Sequence, residues 1–135
     1  MSWQPYVDNN LVGTGKVLEA AIFGHDGGVW AASKGFQLAP GEFEKIKGGF
    51  AADSPLQVNG TYVGGKKYMT NQATGDFILA KARVTEESSN DPTSAVICYK
   101  TNQTIIVCTV PKDVQAEEAN AVIGKVVDYL VGNNY

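Results

Sequence analysis

Apolar residues change their spacing twice along this chain. Ser2 to Asp8 reads as a helix start, with Ser2 placed to cap and Pro5 early enough that its missing N–H costs little. Val12-Gly13-Thr14-Gly15-Lys16 follows as a glycine-punctuated turn. Two strands come next, Ala20 to Phe23 and Val29 to Ala32, joined by His25-Asp26-Gly27-Gly28, whose glycines accept positive φ. Pro40 to Lys47 predicts a short helix: proline at its start, acids in its first turn, lysines later, Gly48-Gly49 as a stop. Phe43, Ile46 and Phe50 are spaced to cover one face of it.

From Leu56 the period becomes two, through Gln57 to Val63, Lys66 to Asn71 and Phe77 to Val84, the signature of meandering antiparallel strands. Ala95 to Thr101 and Thr104 to Val110 form a further hairpin around Asn102-Gln103, and Pro111 ends it. From Val114 to Val131 the spacing is helical again. Ala119, Ile123, Val126, Val127 and Leu130 share one side, and Gln115, Glu118, Lys125 and Asp128 the other. A helix, many short strands with one short helix among them and a long last helix make an α+β domain with a central antiparallel sheet.

At 135 residues the chain fits one domain, residues 1–135, without repeat or linker. A net charge of −3 and a pI near 5.0 give no electrostatic footprint for nucleic acid. No apolar run approaches the roughly 18 to 20 residues of a membrane-spanning helix, and the first residues lack the regions of a signal peptide. A soluble, intracellular protein is the expectation.

The candidate chemistry is sparse. In the predicted hairpin Cys98 faces Val107 and Cys108 faces Ile97, so the two sulfurs point to opposite sides of the sheet and a disulfide is not expected. Two buried reduced thiols are the expectation. The sole histidine, His25, stands on a polar turn and reads as a solvated turn residue, with no second ligand nearby to suggest a metal. Gly13 to Lys16 fails as a phosphate loop, because Asn10 and Val17 occupy positions that need Gly and Ser or Thr. Asn59 and Asn102 match the glycosylation pattern but are silent without a secretory route. Glu86 to Pro92 is an acidic surface loop. No nucleophile and base lie together, so an enzyme is not expected, and neither is a cofactor or metal.

Aromatic residues concentrate at the two ends of the chain. Trp3 and Tyr6 share a helix face, and Tyr129 and Tyr135 bracket the end of the last helix. Either they staple terminal segments to the body, or they form one exposed aromatic strip, since termini often lie close together.

Several stretches carry a specific likeness. They are Met1-Ser2-Trp3-Gln4-Pro5-Tyr6-Val7-Asp8, Leu11-Val12-Gly13-Thr14-Gly15, Val29-Trp30-Ala31, Val58-Asn59-Gly60, Gly64-Gly65-Lys66-Lys67 and Asp128-Tyr129-Leu130-Val131-Gly132. Together they resemble the profilin family from end to end. The resemblance implies a central antiparallel sheet with the N- and C-terminal helices packed on one face and short helices on the other. It implies a cytoplasmic, cytoskeleton-associated protein that binds monomeric actin, promotes exchange of actin's nucleotide and docks on proline-rich segments of cytoskeletal regulators.

Carried over by position, the resemblance implies a proline-rich-ligand site at Trp3, Tyr6, Trp30, Tyr129 and Tyr135. That suits the chemistry, because a proline helix is ordered before binding and docks on flat aromatic rings. Many animal members carry histidine at the position of Tyr129, so the groove here should depend less on pH. The implied actin site is Val58, Lys67, Met69, Asn71, Lys81, Arg83, Val114, Gln115, Asn120 and Lys125, with Thr70-Asn71-Gln72 departing from the apolar and basic character of many relatives. Phosphoinositide head groups would have Lys66, Lys67, Lys81 and Arg83, and weak binding is expected because Val131 and Gly132 stand where some members have arginines. A rival expectation is a proline-peptide adaptor with weak or absent actin binding.

Overall fold

The computed structural model describes residues 4–26, 28–33, 41–48, 61–63, 66–73, 77–82, 93–111 and 114–132. Its centre is a seven-stranded antiparallel sheet in the order β2-β1-β7-β6-β5-β4-β3. The strands are β1 (Glu19–Gly24), β2 (Val29–Ala32), β3 (Thr61–Val63), β4 (Lys66–Ala73), β5 (Phe77–Ala82), β6 (Thr93–Lys100) and β7 (Thr104–Pro111). Among the described residues the helices are a mixed N-terminal helix, α1 (Glu42–Gly48) and α2 (Ala116–Gly132). The Glu86 to Pro92 loop and Phe50 lie outside the described residues.

The central strand β7 is apolar almost throughout, Thr-Ile-Ile-Val-Cys-Thr-Val-Pro, and all but its last residue are buried. Such a run needs cover on both faces, and both are covered. Ile22, Ile97, Ile106 and Cys108 pack with Val7 and Leu11 of the N-terminal helix and with Ala119, Ile123, Val126, Val127 and Leu130 of α2. Their sheet neighbours Phe23, Ile78, Val96, Cys98, Ile105 and Val107 point the other way and pack with Phe43 and Ile46 of α1. The terminal helices therefore share one face and the short helix takes the other. All five apolar positions expected on the last helix are buried.

The hairpin register expected from the sequence is the one observed, Ile97↔Cys108 and Cys98↔Val107, and the two free thiols fall in cores on opposite sides of the sheet. Burial pushes the Cys98 thiol from 9.0 up to about 12, and Cys108 is also raised well above its ordinary value. No buried side-chain polar atom among the described residues lacks a partner.

The first helix differs from a plain α-helix. From Tyr6 to Leu11 it winds as a π-helix, closed by the Val12 N–H on the Val7 carbonyl, and then tightens to a 3₁₀ turn at Val12–Thr14. Gly13 makes this possible. A Cβ there would stand 2.5 Å from the Asp8 carbonyl oxygen, five residues back, so the wide turn closes only over a residue without a side chain. Gly15 then ends the helix with φ of 78°.

His25 is more than a solvated turn residue. Its Nε2 lies 3.0 Å from the Thr101 carbonyl and 3.2 Å from that of Thr104. Both neighbours are acceptors, so this nitrogen carries the proton and donates. The ring ties the β1–β2 turn to the β6–β7 turn, while Lys47 Nζ donates to the His25 carbonyl at 2.6 Å. Sequence spacing carries no trace of a contact across 76 residues.

Candidate functional site

The N-terminal helix reaches α2 through an aromatic pair. Val7 and Leu11 anchor it on the core, which leaves Tyr6 half-buried at the rim. There its ring meets that of Tyr129, with centroids 5.4 Å apart and planes tilted by 31°. Offset, tilted rings at that spacing attract each other and form a continuous apolar surface. Tyr129 remains 44% exposed, so the surface faces solvent.

Beyond the pair a groove of about 460 Å³ runs between the two helices. One wall is Tyr6, Asn9, Asn10 and Thr14; the other is Val122, Lys125, Val126 and Tyr129, positions that share a face of α2. The π-turn supplies Tyr6, Asn9 and Asn10 together, in keeping with the frequent placement of such turns at functional sites.

Gln4 fixes the other side of the N-terminal helix. Its Nε2 donates to the Ala32 carbonyl at 2.7 Å and to Asp8 Oδ1 at 3.1 Å, and its Oε1 accepts from the Ala32 N–H at 3.4 Å. This holds the helix against strand β2, where Trp30 stands half-buried on the same core as Tyr6. The Trp30 indole nitrogen comes so close to Gly24 that a Cβ at that position would lie 2.9 Å away. Of the expected proline-site residues, Tyr6, Trp30 and Tyr129 thus lie on one face of the sheet with its helices, and Trp3 and Tyr135 lie outside the described residues.

A second surface lies on the same face of the sheet, past the edge of α2. Met69 and Lys81 are direct cross-strand partners, and both are exposed. Next to them Phe77, Leu79, Ile97 and Tyr99 floor a second groove of about 460 Å³, closed by Ala116, Glu117 and Asn120 at the start of α2. The Phe77 and Tyr99 rings meet at a tilt of 56° with centroids 5.0 Å apart, and the Tyr99 hydroxyl donates to Asn120 Oδ1. Gln115 is exposed and Val114 half-buried just before the helix.

Lys66, Lys67 and Asn71 are placed by their backbone in β4, and Asn71 falls where the pairing with β5 slips by one residue, between Thr70↔Ala80 and Gln72↔Leu79. Such bulges re-aim side chains. Lys125, expected with this group, lines the aromatic groove. Val58 and Arg83 lie outside the described residues. The sequence reading missed Gln4, Asn9, Asn10 and Tyr99 as parts of these surfaces. Only the four-residue step from Lys125 to Tyr129 could have hinted at the groove wall.

The family model for profilin matches residues 1–135. The chain belongs to the profilin family. Profilin-A of Physarum polycephalum is 40% identical to it over 135 residues, covering all of both chains. Among solved structures, profilin IB of Acanthamoeba castellanii is similar with a TM-score of 0.86 and 36% identity, over 99% of this chain and all of that one. Mouse profilin IIa, solved in complex with a double repeat from the FH1 domain of mDia1, matches with a TM-score of 0.77 and 27% identity over the full length of both chains. A profilin fold accounts for the antiparallel sheet and for the two terminal helices on one face.

Proposed function

We propose that the chain binds monomeric actin, promotes exchange of actin's nucleotide and delivers actin to proline-rich cytoskeletal partners in the cytoplasm. The observation that carries this is the Tyr6–Tyr129 pair, an exposed aromatic surface between the terminal helices of a profilin-family member. A proline-rich segment keeps its left-handed helix on docking and loses little entropy, so flat rings suffice to hold it. The mouse relative bound to FH1 repeats supports the same use here.

The actin role rests on the family and on the second surface, where Glu117 and Asn120 line an apolar floor at the start of α2 and the exposed pair Met69 and Lys81 lies on the neighbouring strands. Apolar centre and charged rim are the anatomy of a protein interface. The two surfaces use different stretches of α2, so one chain can hold both partners. Phosphoinositide binding through Lys66, Lys67, Lys81 and Arg83 is a weak accessory of this reading, in a chain of net charge −3.

The adaptor alternative, proline binding with little actin affinity, draws on the bulge at Asn71 in the strand that would meet actin. Titrating the protein into monomeric actin loaded with a fluorescent nucleotide separates the two. Faster, saturable release supports the carrier reading. Unchanged release with no direct binding to actin leaves the adaptor.

A further inference from the structure

The groove continues past the two tyrosines, and its far half differs chemically from the near half. Beyond Tyr6 and Tyr129 its walls are Asn9, Asn10, Thr14, Val122, Lys125 and Val126. Among the described residues no acid lines it, and Lys125 is the only charge they bring to it, in a chain that carries a net −3. Lys125 is exposed and has no ion-pair partner among the described residues. The nearest acid along the N-terminal helix, Asp8, accepts from Gln4 and is not part of the walls. Asp128, one turn along α2, is exposed and also outside the walls. A plain proline helix offers this half carbonyls that can accept from the lysine but no negative charge to balance it.

We infer that the far half of the groove selects proline-rich segments carrying an acidic residue beside the proline run, with Lys125 reading the carboxylate. This rests on the proline-groove reading and adds the ligand's flank to it. Lys125 lies four residues from Tyr129, about 6 Å along the helix at ~1.5 Å per residue. A proline helix advances about 3.1 Å per residue, so the acid belongs about two to four residues from the proline seated on the rings, allowing for the reach of the lysine stem. The amides of Asn9 and Asn10 can donate to ligand carbonyls between the two points.

The test compares decamers of proline that carry a single Glu, or a single Gln, at successive positions toward either end, titrated against the full chain at low and at moderate salt. The expected result is about twofold to fivefold tighter binding of the Glu peptide at one set of offsets, shrinking with added salt, as an exposed pair should. Lys125→Ala should bring the Glu-to-Gln ratio to one. Lys125→Glu should invert it and favour a peptide with Lys at the same offset. Lys100→Ala, which alters an exposed lysine at the end of β6, should keep the wild-type ratio.

A ratio of one at every offset in the wild type, with the plain decamer still bound, overturns this inference and leaves the proline groove standing. So does a preference that survives Lys125→Ala. If Lys125→Ala weakens uptake on anionic vesicles while the wild-type peptide ratio is one, the lysine serves a lipid surface and the inference is wrong. Failure of the plain decamer and every derivative to bind overturns the groove reading itself, and this inference with it.

Discussion

Gln4 pairs with Ala32 as a neighbouring strand would, its Nε2 donating to the Ala32 carbonyl at 2.7 Å and its Oε1 accepting the Ala32 N–H at 3.4 Å. Strand β2 is one edge of the sheet, and Ser33 donates inward to Ala20, so alternation turns the backbone groups of Ala32 outward. The glutamine amide satisfies them. It closes part of an edge that would otherwise offer a template for pairing, and it docks the helix that carries Tyr6.

Gln4→Ala removes both contacts. Denaturant unfolding should show a loss of about 1 to 2 kcal/mol, and binding of a proline decamer should weaken because Tyr6 is held less firmly. Unchanged stability and affinity would mean that the pairing does not fix the helix.

The paired rings themselves give a sharper expectation. Tyr6→Ala and Tyr129→Ala should each weaken decamer binding by at least about 1 kcal/mol, the scale of a lost interface anchor. Because the rings are in contact, the double variant should lose less than the sum of the single losses. Calorimetric titration of the four proteins measures this. Additive losses would place the tyrosines in separate sites.

Two glycines should respond oppositely to alanine. At Gly13 the new Cβ would stand 2.5 Å from a backbone oxygen that has no rotamer to escape into, and a loss of about 1 to 3 kcal/mol is expected. At Gly124, inside α2, nothing lies within 4 Å of the new Cβ, so the better helix former should stabilise by about 0.5 to 1 kcal/mol. Thermal unfolding of both variants checks the pair. A tolerated Gly13→Ala would contradict the π-turn.

The buried thiols make a pH prediction. The unfolded chain ionises Cys98 near the ordinary value of 9.0, whereas the folded chain holds it neutral until about 12. A folded-state pKa raised in this way contributes stability in full below 9.0 and loses it as the pH climbs toward 12. Folding stability should therefore fall across that alkaline window, and less steeply in Cys98→Ala. At pH 8 a thiol reagent should modify the native protein only at the rate of unfolding; rapid modification of both cysteines would contradict their burial.

Local rules carried most of the architecture. The alternation through Ile97, Cys98, Val107 and Cys108 was enough to give register and the side of each sulfur, because a one-residue slip would have turned every core residue outward. The buried stripe of α2 followed from its 3.6-residue period in the same way. What stayed hidden depends on contacts between distant segments. Nothing near His25 announces that its ring will reach Thr101 and Thr104, and nothing near Gln4 announces Ala32. Position-by-position transfer puts Asn120 and Lys125 in one group, whereas the helix presents Asn120 to one groove and Lys125 to another, a separation that only the three-dimensional arrangement makes visible. The π-turn escaped for a related reason, since helical spacing over six residues cannot distinguish windings that only Gly13 and the Asp8 carbonyl decide.

The central claim is that two surfaces on one chain hold two partners at once. The direct measurement is the fluorescence anisotropy of a labelled proline-rich peptide, first saturated with the protein and then titrated with monomeric actin. A second, saturable rise is expected as the larger complex forms, with no release of peptide. An anisotropy that stays flat while actin is added, or falls as the peptide is displaced, would contradict it.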